Sequence, residues 1–139
     1  MIQVIYGSSE TYQMTQEDLL TILGTSRKNN KTKDITGMLL YNDGNFLQVL
    51  EGEKDVVEPL MAVISEDNRH DNVTIYYQHD IPEREFGSWE MAFLRLAGRD
   101  IQNAEGFTDF VSLKQLRDTF SQEPSRAKIF MSAFLQSVR

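Results

Sequence analysis

Two rhythms of apolar and polar positions run along this chain, and the places where they change mark its elements. Residues 2–6 (Ile2, Gln3, Val4, Ile5, Tyr6) are a short β-branched run and predict strand 1. Thr15, with Asp18 three residues on, resembles a capping box with Asp in place of the usual Glu. Met14 and Leu19 occupy the flanking staple positions. Leu19, Ile22 and Leu23 then recur at i, i+3, i+4, the stripe of an amphipathic helix. Ile35 to Tyr41 is apolar on both faces, which predicts a central strand 2. Asn42-Asp43-Gly44 is a turn signal, so residues 45–50 complete a hairpin as strand 3. A second helix is predicted over about 54–66, from Val56, Val57, Leu60, Met61, Val63 and Ile64. Pro59 removes one backbone donor there, so a late start or a kink in the first turn is expected. Residues 73–77 predict strand 4, and residues 89–96 predict strand 5 with Met91, Phe93 and Arg95 on one face.

The resulting order, βαββαββ, predicts an α+β fold: a ferredoxin-like sandwich with two helices on one face of a mostly antiparallel sheet. A C-terminal helical pair follows, over about 107–119 and 125–137, with Thr108 and Ser125 as caps. In the second of these, Ala127, Phe130, Met131, Phe134 and Val138 form an apolar stripe, expected to cover the sheet's other face or a partner's. The polar stretch 98–103 is too short to separate independent domains. Residues 1–97 and 98–139 are therefore expected to form one structural unit.

Composition narrows the chemistry. The chain has 139 residues, 40% hydrophobic and 25% charged, the profile of a soluble globular protein. It contains no cysteine, which excludes disulfides, Cys-ligated metals, thiol nucleophiles and flavin–cysteinyl adducts. With 14 Lys+Arg against 21 Asp+Glu, the net charge of −7 argues against direct nucleic-acid binding. No apolar run is long enough to span a membrane, and the opening Met1-Ile2-Gln3-Val4 has no signal-peptide character, so a cytoplasmic protein is expected. The common catalytic signatures are missing, no carboxylate pair is forced onto a buried face, and neither His70 nor His79 lies in a metal-ligand spacing.

Polar residues on apolar faces are more informative. In strand 3, Phe46, Gln48 and Leu50 share a face, which puts an amide between two large apolar neighbours. A buried amide needs partners, and backbone or water can supply them. The helix 1 stripe continues past Ile22 and Leu23 into Ser26, Asn29 and Asn30, turning polar at its C-terminal end. Asn30 as a helix cap is one reading of this. The other is an apolar slot with convergent amides that holds a polar ring system. Tyr6 shares the face of Ile2 and Val4, and a buried tyrosine needs a partner for its hydroxyl. Asp67, Arg69 and His70 follow helix 2 either as a solvated charged loop or as ligand-facing groups, with Arg69 suited to a phosphate or ribityl chain.

Taken in order, Tyr6-Gly7-Ser8, Ser26-Arg27-Lys28-Asn29-Asn30, Ile35-Thr36-Gly37-Met38-Leu39-Leu40-Tyr41 and Gly44-Asn45-Phe46-Leu47-Gln48-Val49-Leu50-Glu51-Gly52 resemble the BLUF domain, the FAD-binding blue-light sensor. Asp67-Asn68-Arg69-His70 and Arg84-Glu85-Phe86-Gly87-Ser88-Trp89-Glu90-Met91 complete the resemblance over about residues 1–97. The departures are Asp34 before Ile-Thr-Gly, where Gly is common, and Glu90 between Trp and Met, where Ser is common. The resemblance implies that FAD binds non-covalently with its ring between helices 1 and 2. It implies that Asn30 and Gln48 hydrogen-bond the polar edge of the ring, and that Ile22, Ser26, Asn29, Phe46, Leu50, Asp67, Arg69 and His70 line the ring or its side chain. Tyr6 is then the electron and proton donor to the excited flavin. Gln48 rearranges its hydrogen bonds by rotation or tautomerisation and donates to the flavin C4 carbonyl. Trp89 and Met91 are implied in signal output.

A stand-alone photoreceptor is thus expected, and not an enzyme. No segment after residue 97 is long enough for an enzymatic effector, so output is expected through a partner protein in trans or a change in homo-oligomerisation. Two other classes compete with this reading. A small acylphosphatase-like hydrolase needs an Arg-bearing phosphate loop after strand 1, where no Arg occurs before Arg27. In a flavin-free regulatory or assembly module, Tyr6, Asn30 and Gln48 merely pack.

Overall fold

The computed structural model describes residues 1–42, 44–87 and 92–95, together with Ala127, Ile129, Phe130 and Ala133. The described elements are β1 (Ile2–Glu10), α1 (Gln16–Lys33), β2 (Thr36–Asn42), β3 (Asn45–Gly52), α2 (Lys54–Glu66), β4 (His70–Asp80) and β5 (Ala92–Arg95). The sheet order is β4-β1-β3-β2-β5. Each neighbouring pair among its first four strands is antiparallel, and β5 joins parallel to β2, pairing Ala92 with Met38. This is the α+β, ferredoxin-like arrangement expected from the element order.

The helices begin where their local chemistry dictates. Thr15 Oγ1 accepts from the Asp18 amide at 3.1 Å, and Asp18 Oδ2 accepts from the Thr15 amide at 3.0 Å. Both arms of the capping box therefore form. Thr15→Ala is expected to lower stability by about 1 kcal/mol, the ordinary worth of such a cap. A thermal melt indistinguishable from wild type would contradict that. α2 runs over Lys54–Glu66 with Pro59 inside it, so the proline does not delay its start. The donor it removes is one bond of a helix held by its buried face, Val57 and Met61.

Several boundaries differ from expectation: β2 is shifted by one residue, β3 runs on to Gly52, and three further differences show pairing or packing overriding local propensity. β1 continues past Tyr6 through Gly7-Ser8-Ser9 to Glu10, since β3 and β4 flank it on both sides. β4 is longer than 73–77 because it pairs with β1 from Ile2 to Glu10. Asn30 does not cap α1, which runs one turn further. Asp34 is the C-cap instead, in the left-handed conformation at φ 54°, while the Asn30 carbonyl accepts from the Ile35 amide at 2.8 Å. Asn30 thus keeps its buried side chain on the inner face of the helix.

Between the sheet and the two helices lies the core, with Val4, Leu39 and Leu50 packed against Leu19, Leu23, Val57 and Met61. The outer face of the sheet is buried too, at Ile5, Met38, Leu40, Leu47 and Val49. A Cβ at Gly7 would lie 2.8 Å from the Tyr76 ring, which places Tyr76 on that outer face. Phe130 stacks on Tyr76 with centroids 5.6 Å apart, and Ala127 is fully buried. Of the expected second C-terminal helix, Ala127, Ile129, Phe130 and Ala133 are helical. The first of the pair, the caps Thr108 and Ser125, and Trp89 and Met91 lie outside the described residues. No described helix is long and apolar enough to cross a membrane.

Candidate functional site

Strand pairing assembles the centre of the site. In the β1–β3 ladder Tyr6 lies directly opposite Gln48, so their side chains are cross-strand neighbours on one face. The Tyr6 hydroxyl donates to Gln48 Oε1, and both residues are buried. Burial pushes the Tyr6 phenol well above its ordinary pKa, and the nearby Asp67 carboxylate raises it further. The phenol therefore keeps its proton and acts as a donor.

Around this pair the face opens into a cavity of about 170 Å³ between α1 and α2. β1 contributes Tyr6 and Ser8, and β3 contributes Phe46, Gln48 and Leu50. From α1 come Ile22, Thr25, Ser26, Asn29 and Asn30, one stripe at helical spacing. α2 adds Leu60, Val63 and Ile64, and its exit adds Asp67, Arg69 and His70. Met14 and Leu39 complete the lining. All the residues expected around a cofactor are thus brought together. Trp89 and Met91 are not among the described residues, and the structure does not place them.

Sequence reasoning did not single out Ser8, Met14, Thr25, Leu39, Leu60, Val63 or Ile64 as site residues. Signals for most of them exist. Ser8 follows Tyr6 at period two, Thr25 adjoins the Ile22–Ser26–Asn29 stripe, and Leu60, Val63 and Ile64 belong to the apolar set of the second helix.

The exit of α2 is a built corner. Asp67 is the helix C-cap, Arg69 lies in the following turn, and His70 opens β4. His70 Nε2 lies 2.6 Å from the Ile64 carbonyl, which can only accept, so that nitrogen carries a hydrogen. His70 Nδ1 meets the Ser8 hydroxyl at 2.8 Å. The imidazole thus ties α2 to β1, with its ring edge-on to Tyr6 at 6.5 Å. Arg69 Nε donates to both Asp67 oxygens at 3.0 Å. The guanidinium holds the Asp67 carboxyl below the usual aspartate range, against a smaller opposing effect of burial.

A group with a lowered pKa contributes stability above its ordinary value, here 3.8, and loses it as pH falls through the folded-state value below that. Asp67→Asn is therefore expected to flatten the acid side of the stability profile below pH 3.8, read as melting temperature against pH. Parallel profiles for the two proteins would contradict this.

The donor set suits a planar ring with one polar edge. The walls are apolar (Ile22, Phe46, Leu50, Leu60, Ile64), and two buried amides, Asn30 and Gln48, each offer both a donor and an acceptor. Fold and site define an α+β domain with an apolar slot between its two helices, able to take a planar heteroaromatic ring beside a phenol–amide hydrogen bond.

The chain belongs to the BLUF family, the sensors of blue light using FAD, whose family model matches residues 1–92. It is similar to the photoactivated adenylate cyclase subunit alpha of Euglena gracilis, 38% identical over 88 residues, which is 63% of this chain and 9% of that protein. The chain thus spans about a tenth of the length of the cyclase subunits it matches. Among solved structures it is similar to the dark-state structure of the BLUF protein BlrB. The TM-score is 0.68 at 26% identity, covering 86% of this chain and 94% of that one. It is also similar to the photo-activated state of BlsA, with a TM-score of 0.66 at 27% identity, covering 90% of this chain and 98% of that one. The chain therefore carries a flavin-binding, blue-light-sensing domain.

Proposed function

We propose that this domain holds FAD non-covalently in the cavity between α1 and α2 and works as a photoreceptor through the Tyr6–Gln48 hydrogen bond. The observation that carries the reading is that bond itself: a buried phenol donating to a buried amide on the wall of a ring-sized slot. Asn30 and Gln48 would hold the polar edge of the ring, and Ile22, Phe46 and Leu50 its faces. Ser26, Asn29, Asp67, Arg69 and His70, which line the same cavity, would hold the ring or the cofactor's side chain. When bound and excited by blue light, a flavin becomes an oxidant strong enough to draw an electron from a neighbouring phenol.

The residues of the chain do the rest. Tyr6 supplies the phenol, kept protonated by burial. Its proton lies on the bond to Gln48 Oε1, so any loss of that donor releases the amide. A glutamine amide is a donor at one end and an acceptor at the other, so rotation or tautomerisation exchanges what it presents to Tyr6 and to the cofactor. In a close-packed core such an exchange has discrete outcomes.

On this reading the chain is a sensor, not an enzyme. Its output passes to a partner protein in trans or to a second copy of itself, with Trp89 and Met91 on the route and no direct contact with nucleic acid or membrane. A cytoplasmic setting goes with that. Arg69, now turned onto Asp67, is the cation available to a diphosphate, which favours FAD over a shorter flavin. The test is release of the chromophore by denaturation and measurement of its mass. FAD is the expected product, and a protein that cannot be loaded with any flavin would overturn the reading.

A further inference from the structure

Glu51 is a buried carboxylate that the cavity does not use. It stands on β3 three residues beyond Gln48, about 10 Å along a strand, with its side chain on the opposite face of the sheet from Gln48. It is fully buried. Both its oxygens are filled by donors. Oε2 accepts from Gln3 Nε2 at 3.0 Å and from the Glu85 amide at 2.8 Å. Oε1 accepts from Thr36 Oγ1 at 3.2 Å and from the Phe86 amide at 2.9 Å. Burial raises the pKa of this carboxyl, and these four hydrogen bonds oppose the rise.

Two of the four donors belong to neither strand nor helix. They are backbone amides of the connection between β4 and β5, whose Phe86 is buried. Arg84, just before them, donates to Thr36 Oγ1 at 2.8 Å and to the Glu51 carbonyl at 3.0 Å. It also donates to the carbonyl of Asp34, the C-cap of α1, at 2.7 Å. The ends of α1, β2 and β3 therefore converge on residues 84–86. Two of these elements, α1 and β3, carry the cavity's amides. The third, β2, is the strand on which β5 pairs.

We propose that Glu51 is a positioning residue for signal output: it clamps the Arg84–Phe86 segment to β3 and so transmits the state of Gln48 to the connection that leads into β5. This rests on the photoreceptor reading above. β3 is paired without a break from Gln48 to Glu51 with both β1 and β2, so a change in hydrogen bonding at Gln48 is carried along the strand to its Glu51 end. A carboxylate with four fixed donors answers by keeping or losing whole hydrogen bonds, not by gradual deformation.

The test follows the Glu85 and Phe86 amides by NMR hydrogen exchange in the flavin-loaded full chain, in darkness and under blue light. Glu51→Gln preserves shape but turns one acceptor into a donor facing a donor. Wild type is expected to change protection at both amides on illumination. Glu51→Gln is expected to keep the flavin's spectral shift while the light–dark difference at these amides falls at least about threefold. A role in folding alone would lower the melting temperature and leave that difference unchanged. If Glu51→Gln fails to fold, Thr36→Val removes one donor to Glu51, and with it one acceptor of Arg84, at nearly constant shape, and is expected to reduce the difference in the same way. An undiminished difference in a folded variant would overturn the proposal, as would wild-type amides that do not respond while the flavin spectrum shifts. A wild type with no spectral shift at all would overturn the photoreceptor reading along with it.

Discussion

Tyr6→Phe is expected to keep the flavin and the fold but to lose the red-shifted signalling state, with its amplitude falling about tenfold or more because phenylalanine has no hydroxyl to donate. The aromatic ring stays, so packing against Val4 and Leu50 in the core is retained. What disappears is the bond to Gln48 Oε1. The cost in stability is the net worth of one buried hydrogen bond, about 1 kcal/mol, or more if the amide oxygen finds no new donor. Absorption spectra before and during blue illumination read the result. A normal shift at full amplitude would remove Tyr6 from the photochemistry.

Gln48→Leu has an equally large expected effect, for the complementary reason. Leucine fills similar space between Phe46 and Leu50 but carries neither donor nor acceptor. The Tyr6 hydroxyl then loses its amide partner, which costs about 1–3 kcal/mol if nothing replaces it. Flavin binding should persist on Asn30 and the apolar walls, while the light-induced shift is abolished. Together the two variants separate the roles. In Tyr6→Phe the acceptor survives without its donor, and in Gln48→Leu the donor survives without its acceptor. A red shift of normal size in Gln48→Leu would mean that the flavin's environment changes through some other group.

Much of this site was legible in the chain because it obeys two simple periods. Period two put Tyr6 with Ile2 and Val4, and Gln48 with Phe46 and Leu50. The β1–β3 register then sets the two polar side chains face to face. The helical period carried Ile22 into Ser26, Asn29 and Asn30, and all four line the cavity. The capping box at Thr15 is equally local and could be read directly.

Other features depend on contacts distant in sequence. Gly7-Ser8-Ser9 has little strand propensity, yet it is strand because β3 and β4 hold it from both sides. The extra turn of α1 beyond Asn30 depends on Asp34 accepting a left-handed conformation. Glu51 was the clearest omission. Its alternation with Leu47 and Val49 marks a carboxylate on an apolar face, but three of its donors, Gln3, Glu85 and Phe86, lie more than thirty residues away. The parallel β2–β5 pairing is also absent from local pattern, since its partners, such as Met38 and Ala92, lie more than fifty residues apart in the chain.

The most direct test of the central claim is the absorption spectrum of the purified protein in darkness, under blue light and again in darkness. Expected is a yellow protein whose flavin band moves to longer wavelength on illumination and returns in the dark, with no covalent bond to the chain. A protein that binds flavin but shows no reversible shift would contradict a light-driven rearrangement at Tyr6 and Gln48.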